Sequence, residues 1–407
     1  MHILLIHQAF AALDEPGGTR HHELARFLVQ HGHRVTVIAS PVSYLTGAAS
    51  SSNPAAEADQ GDHGITILRA YTYDALHKSF VHRVFSFLSF MVSSFFLGLR
   101  VTNVDVVWGT SPPIFQGLTA WALARLKRAK FLFEVRDLWP DFAIAVGVLK
   151  NPLLIKLAFW LEHFLYRHAD RMIVNSPAYV EHVKKGGARA VELIPNGADP
   201  AMFNPFDIGL PFRQAHHLRD VFVALYAGAH GMSNDLDVLL DAARLLAGEQ
   251  DIRIVLVGDG KEKANLQARA VEMGLQNVIF LPPVPKTGMG EVLAGADACI
   301  AILKPIDEYK TTYPNKVFDY MAAGRPVVLA IQGVIRQVVE EADCGVFPQP
   351  GSAEDMASAI AFLASDRDHA VRLGINGRRY LEEHFSRDQL AAQLEAVFIE
   401  LQKSALP

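Results

Sequence analysis

The sequence predicts an α/β protein made of two doubly wound parallel-sheet domains. Three observations carry that prediction. Strand-like segments are continuous Val/Ile/Leu runs rather than alternating ones, as strands buried on both faces require. Helical patterns of about 10–15 residues separate them. The whole alternation then occurs a second time in the C-terminal half. The 407 residues suit two domains of roughly 150–200 residues each. Hydrophobic residues make up 50% and charged residues 20%, which excludes a disordered or fibrous chain.

In the first half, apolar runs predict strands at 2–7, 34–39, 65–69, 105–109, 130–135, 171–175 and 191–194. In the second half they fall at 221–227, 252–257, 278–281, 298–302 and 326–330. Helical spacing predicts helices at 18–31, 113–128, 152–168, 235–247, 261–273, 315–323 and 353–363. A stretch rich in Pro, Gly, Asn and Phe, from Pro195 to about Asp220, reads as the junction. The expected organisation is an N-terminal domain over 1–200, a C-terminal domain over 201–385, and a helix at 386–407 packing back toward the N-terminal domain. Residues 41–63, rich in Ser, Ala, Asn and Asp, read as a mobile loop.

The net charge of −5 conceals an asymmetry. Residues 1–205 carry 19 Lys and Arg against 16 Asp and Glu, whereas residues 206–407 carry 19 against 27. Within the first half, residues 78–189 hold 15 basic and 7 acidic side chains. A basic middle in an acidic protein suggests an anionic surface, membrane or substrate, and is too weak for a nucleic-acid binder. The two cysteines, Cys299 and Cys344, are too few for a disulfide framework or a metal cluster, which points to a reducing cytoplasm. The opening Met1-His-Ile-Leu-Leu-Ile has no basic leader and reads as a buried first strand, not a secretory signal.

The segment Val84 to Leu99, VFSFLSFMVSSFFLGL, carries no charge and is flanked by Arg83 and Arg100. Its sixteen residues reach about 24 Å as a helix, short of the ~30 Å hydrocarbon core. Three readings stay open: a helix buried under the sheet, one lying in the membrane interface, or a true span, which would interrupt the domain between two strands. The apolar run 153–165 reads as a second apolar face of the same surface.

Four motifs carry chemistry. Gly17 and Gly18 follow the first strand and open a helix, where backbone N–H groups and the helix dipole suit a phosphate. The G-x-G-x-x-G spacing of a dinucleotide site is absent, so a nicotinamide cofactor is not expected. Gly258-Asp-Gly260-Lys261 repeats the strand–glycine–helix arrangement, with Lys261 placed to meet a diphosphate; the Gly228 turn precedes His230. In Thr311-Thr-Tyr-Pro314-Asn315-Lys316-Val-Phe-Asp319, Pro314 leaves the N–H groups of Asn315 and Lys316 at a helix start. Asp319 lies one turn on, a neighbour of Lys316 that could hold ribose hydroxyls. Finally, Glu134-Val-Arg136-Asp137 puts charge at the C-terminal end of a buried strand, where open α/β sheets place their chemistry. No metal-ligand spacing appears among the histidines, and no metal is expected.

Taken together, these motifs resemble family 4 glycosyltransferases, retaining enzymes with two facing Rossmann-like domains (the GT-B fold). The resemblance runs over nearly the whole chain, through Gly17-Gly18-x-Arg20-x-x-Glu23, Gly32-His33-x-Val35, Pro195-Asn196-Gly197-Ala198-Asp199, Val257-Gly258-Asp259-Gly260 and Asp319-Tyr320-Met321-Ala322-x-Gly324-x-Pro326. Thr110-Ser-Pro-Pro113 and Glu134 through Pro140 further resemble the bacterial O-antigen and exopolysaccharide branch, whose members are similar to N-acetyl-fucosamine transferases.

The resemblance implies a nucleotide diphosphate sugar, with a lean toward UDP, as the donor substrate. It also implies a lipid-linked (polyprenyl diphosphate) saccharide acceptor and a place on the cytoplasmic membrane face. Gly17, Gly18, Gly228, Gly258, Gly260, Lys261, Asn315, Lys316 and Asp319 would bind the donor, while Lys316, Arg136 and Asp137 would carry the chemistry. Where the family commonly has two glutamates eight positions apart, this chain has Thr311 and Asp319. A basic pair common after the first C-terminal strand is also not evident in 229–234. Two other functions fit the same architecture: a UDP-sugar 2-epimerase, and an inactive membrane-docked partner of a transferase.

Overall fold

The computed structural model describes residues 1–15, 17–42, 59–61, 64–73 and 80–403. They fall into two compact units. The first gathers Met1–Ala12, Gly17–Pro195 and Asp388–Pro407, and the second Leu13–Pro16 and Asn196–Arg387. Apart from 41–42 and a short strand, the loop expected over 41–63 lies outside the described residues.

The first unit carries β1 (His2–Ile6), β2 (Arg34–Ala39), β3 (Asp59–Gly61), β4 (Ile65–Arg69), β5 (Val106–Ser111), β6 (Lys130–Val135), β7 (Arg171–Val174) and β8 (Val191–Leu193). They form one sheet in the order β3-β4-β2-β1-β5-β6-β7-β8, parallel except for the edge strand β3. The strand order reverses between β1 and β5, so the ends of β1, β5 and β6 frame a crevice position. The reason is visible in the residues: β1, β2, β5 and β6 are almost entirely buried because helices cover both faces.

One face packs against the helix Arg20–Gln30 and the C-terminal helix Arg387–Lys403 through Leu24, Leu28, Leu390, Leu394 and Phe398. The opposite face packs against the helices Phe80–Leu99, Phe115–Lys127 and Pro152–His168 through Phe90, Leu123 and Leu165. The helix Phe80–Leu99 is buried along one narrow stripe only. Its buried positions are Ser86, Phe90, Ser94 and Gly98, spaced four apart. A Cβ on Gly98 would come within 2.4 Å of Leu123, so glycine permits the close approach of the two helices. Phe85, Val92, Phe96 and Leu99 are left exposed.

The second unit holds β9 (Phe222–Ala227), β10 (Ile252–Val257), β11 (Val278–Leu281), β12 (Ala298–Ile302), β13 (Val327–Ala330) and β14 (Gly345–Val346). All are parallel, in the order β11-β10-β9-β12-β13-β14, and the order reverses between β9 and β12. Two parallel-sheet α/β units, as the sequence predicts, are what the molecule has. Elements absent from the sequence-based reading are short, among them β3, β14 and the helices Asp141–Ala145, Pro177–Lys185, Leu210–Ala215, Met289–Ala294 and Val334–Glu341.

Candidate active site

In the second unit, Gly228 ends β9 and Gly258 ends β10, side by side at the C-terminal edge of the sheet. Each takes a φ that side chains rarely adopt, +151° and +147°. Sterics are more telling. A Cβ on Gly258 would lie 1.9 Å from the Gly228 carbonyl oxygen, and one on Gly260 would lie 2.5 Å from the His230 oxygen. Three glycines therefore let two backbone turns touch, forming a cradle of backbone.

Lys316 enters this cradle from the helix Asn315–Ala322. Its Nζ would lie 2.6 Å from a Cβ on Gly228 and sits 3.8 Å over the Tyr226 ring. Tyr320, one turn further along, clamps the helix to β9 by accepting from the Ala227 N–H at 3.0 Å and donating to the Ala227 carbonyl at 3.2 Å. The Lys316 ammonium nitrogen is buried and has no hydrogen-bond partner. Burial pulls its pKa from 10.5 down to about 7.

The other expected donor residues are dispersed around this point. Asn315 accepts from the buried Arg387 at 3.4 Å. Asp319 lies within 2.5 Å of Lys286, a side chain that sequence reasoning missed. Lys261 is exposed, and Lys263 instead bonds the Gly258 and Leu281 carbonyls at 2.7 and 3.0 Å. Thr311 donates to the Glu308 carbonyl at 2.5 Å within a short 3-10 helix. Gly17 and Gly18 belong to the first unit.

The first unit brings charge together where β1, β5 and β6 end. Glu134 is completely buried; its Oε1 accepts from Arg20 Nε and Nη2 at 3.2 and 3.1 Å, and its Oε2 from His21 Nε2 at 2.6 Å. Arg20 also donates to the carbonyls of Ile194 and Pro195. Burial pushes the Glu134 carboxyl up, yet His21, Arg20 and Arg136 together hold it well below the usual carboxylate range. Burial also brings His21 down to about 4 despite Glu134.

Arg136 donates to the carbonyls of Ser111 and Pro112 and to His7 Nε2 at 3.2 Å, and the His7 and His21 rings lie 4.3 Å apart. Asp137 follows, its carboxyl raised by burial to about 6 against the pull of Arg136. Arg136 and Asp137 are thus beside a histidine network that the sequence reading did not assemble. The signal was a glutamate inside the otherwise apolar run Phe131-Leu-Phe-Glu-Val135. Among the described residues, no group of three or more His, Cys, Asp or Glu is placed to hold a metal ion.

Two family models cover most of the chain. Residues 17–197 match the glycosyl transferase 4-like domain, and residues 221–366 match the glycosyl transferases group 1 domain. The chain is a GT-B glycosyltransferase.

Among curated relatives of this glycosyltransferase, the colanic acid biosynthesis glycosyl transferase WcaI of Escherichia coli is 24% identical over 385 residues, 91% of this chain and 93% of its own. The D-inositol 3-phosphate glycosyltransferase of Geodermatophilus obscurus is 26% identical over 61% of this chain, which spans little more than half of it, 56%. Solved structures share the fold. Sucrose-phosphate synthase from Thermosynechococcus elongatus superposes with a TM-score of 0.79 at 19% identity, covering 99% of this chain and 100% of its own. Anabaena HepE in complex with UDP-glucose gives 0.73 at 17% identity, covering 98% and 100%. WaaG, a glycosyltransferase of lipopolysaccharide biosynthesis, gives 0.70 at 14% identity, covering 96% and 99%.

Proposed function

We propose that the glycosyltransferase moves a sugar from a nucleotide diphosphate donor, UDP-linked, to a lipid-linked saccharide in bacterial surface polysaccharide synthesis, with retention at the anomeric carbon. The observation that carries this reading is the buried, unpartnered Lys316 nitrogen in the Gly228–Gly258–Gly260 cradle. A cation buried without a counter-charge is costly, and a diphosphate supplies the missing charge. As the glycosidic bond to the donor breaks, negative charge grows on the leaving diphosphate, so a cation fixed there stabilises the transition state more than the ground state. Side-chain cations rather than a metal would serve this role.

The printed names of relatives support the class: colanic acid synthesis for WcaI, lipopolysaccharide synthesis for WaaG, UDP-glucose for HepE. Arg136 and Asp137, at the ends of the first unit's strands, are assigned to the reacting sugars. Gly17 and Gly18 are assigned to the donor phosphate.

The acceptor's lipid places the enzyme at the cytoplasmic membrane face. Supporting this, the helix Phe80–Leu99 turns Phe85, Val92, Phe96 and Leu99 outward, and the helix Pro152–His168 on the same sheet face exposes Leu153, Leu154, Leu157 and Trp160. At the C-terminal end of the helix Phe80–Leu99, Lys127 donates to the Leu99 and Val101 carbonyls and Arg100 is exposed. An apolar stripe rimmed by basic residues fits an anionic lipid interface.

The test is transfer itself. Purified enzyme is given labelled UDP-, GDP- and dTDP-sugars and polyprenyl-diphosphate-linked saccharide in vesicles, with NMR reading the product anomer. Transfer from one donor class with retention is expected. Epimerised donor without acceptor, or donor binding with no transfer to any acceptor, would overturn the reading in favour of the epimerase or the inactive partner.

A further inference from the structure

His230 lies two residues beyond Gly228 and has no exposed surface. Neither of its ring nitrogens has a hydrogen-bond partner. Buried histidines ordinarily satisfy at least one. Nothing bonded to the ring holds it in place; the backbone does. His230 N–H donates to the Asp259 carbonyl at 2.8 Å, its own carbonyl accepts from Glu262 N–H at 3.0 Å, and Tyr226 Oη donates to the neighbouring Ala229 carbonyl at 2.7 Å.

The imidazole borders the same space as Lys316. Its Nε2 lies 3.4 Å from the point a Cβ on Gly258 would occupy, and that point is 1.9 Å from the Gly228 oxygen. Across Gly228 stands the Lys316 nitrogen. Other charged groups around the ring are Lys263, from the helix Lys263–Glu272, and Asp259 in the intervening turn. Lys263 is already bonded to two carbonyls. Two nitrogen groups therefore flank the Gly228–Gly258 contact, both buried and both without a hydrogen-bond partner.

We propose that His230 is a second ligand of the donor's diphosphate, donating to its phosphate oxygens beside Lys316, and that a proton from solvent enters the site with the anion. The inference rests on the nucleotide-donor reading. Burial, with Lys263 and Lys316 adding to it, holds the ring down to about 4, and burial brings Lys316 down to about 7. At pH 7.5 both groups are mainly neutral. A bound diphosphate favours the protonated form, and one proton held by the His230–Lys316 pair offsets its charge.

The experiment is calorimetric titration of the full chain with UDP, with uridine as the control lacking phosphate. Two buffers of different ionisation enthalpy, PIPES and Tris, report proton uptake, and the pH is varied from 6.5 to 8.5. Wild type is expected to take up close to one proton at pH 8, with Kd rising by up to about tenfold per pH unit above 7. His230→Gln keeps a donor but does not titrate, and is expected to weaken UDP about tenfold or more and to lower the proton uptake.

UDP binding and uptake unchanged in His230→Gln would overturn this inference and leave the donor site standing. No UDP binding by wild type would overturn both. If the glutamine variant does not fold, wild type decides alone: uptake near zero across the range contradicts the proposal.

Discussion

The two units place their buried charges by opposite rules. In the first, a single carboxylate, Glu134, pairs with Arg20 and His21 where β1, β5 and β6 end, and the outer Nδ1 atoms of His7 and His21 are left without a hydrogen-bond partner. In the second, Lys316 and His230 are buried around the glycine cradle with nothing bonded to the ammonium or the ring. The first is built on an ion pair within the unit; the second holds an ammonium and a ring for which, on the proposed reading, a ligand supplies the partner. Paired burial marks a framework, and on the proposed reading unpaired burial marks a binding site.

The largest expected effect breaks the paired side. Glu134→Ala leaves Arg20 buried without its carboxylate and should cost about 3–5 kcal/mol in urea denaturation. A loss below about 1 kcal/mol would mean the cluster is not a framework.

Acid comes next. His21 and His230 both have folded values near 4, below the unfolded 6.5, so the unfolded chain takes up protons first as the pH falls. Their stabilisation is present above pH 6.5 and is lost toward pH 4. Between pH 6.5 and 5 the pair should lose about 3 kcal/mol together. Midpoints measured at both pH values check this, and a flat profile would contradict it.

The unpaired side should respond with the opposite sign. Lys316→Met replaces an unpartnered buried amine with an apolar chain of similar length, and nucleotide-free protein at pH 7.5 should gain about 1–2 kcal/mol. A loss of that size would show that Lys316 belongs to the framework. The smallest effect on stability, within about 0.5 kcal/mol, is expected for Phe85→Asp with Phe96→Asp, since both side chains are exposed. The same variant should lose co-sedimentation with anionic vesicles, and binding equal to wild type would remove the interfacial role of the helix.

The fold was legible because continuous apolar runs between helical patterns have one economical solution. β2, β4, β6 and the helix Pro152–His168 begin and end where the pattern says they should. The antiparallel β3 was not legible, since three residues carry no period. Lys316 could be read from Pro314 and the helix that follows it. Lys263 could not be told from Lys261, because two residues at a helix start face nearly opposite ways and only packing selects one. Lys286 meets Asp319 from 33 positions away, and Glu134 meets Arg20 from 114. Pairings of that range are made by the topology, and no local spacing announces them.

The direct test of the central claim, that the unpaired cradle is a diphosphate site, is thermal stability of wild type and Lys316→Met against UDP, GDP, dTDP and their nucleosides. The account predicts that one diphosphate class stabilises wild type by ~2.7 kcal/mol at 100 times its Kd. It also predicts that nucleosides do less, and that Lys316→Met, stable on its own, gains nothing. No stabilisation of wild type by any diphosphate, or an equal gain in the variant, would contradict it.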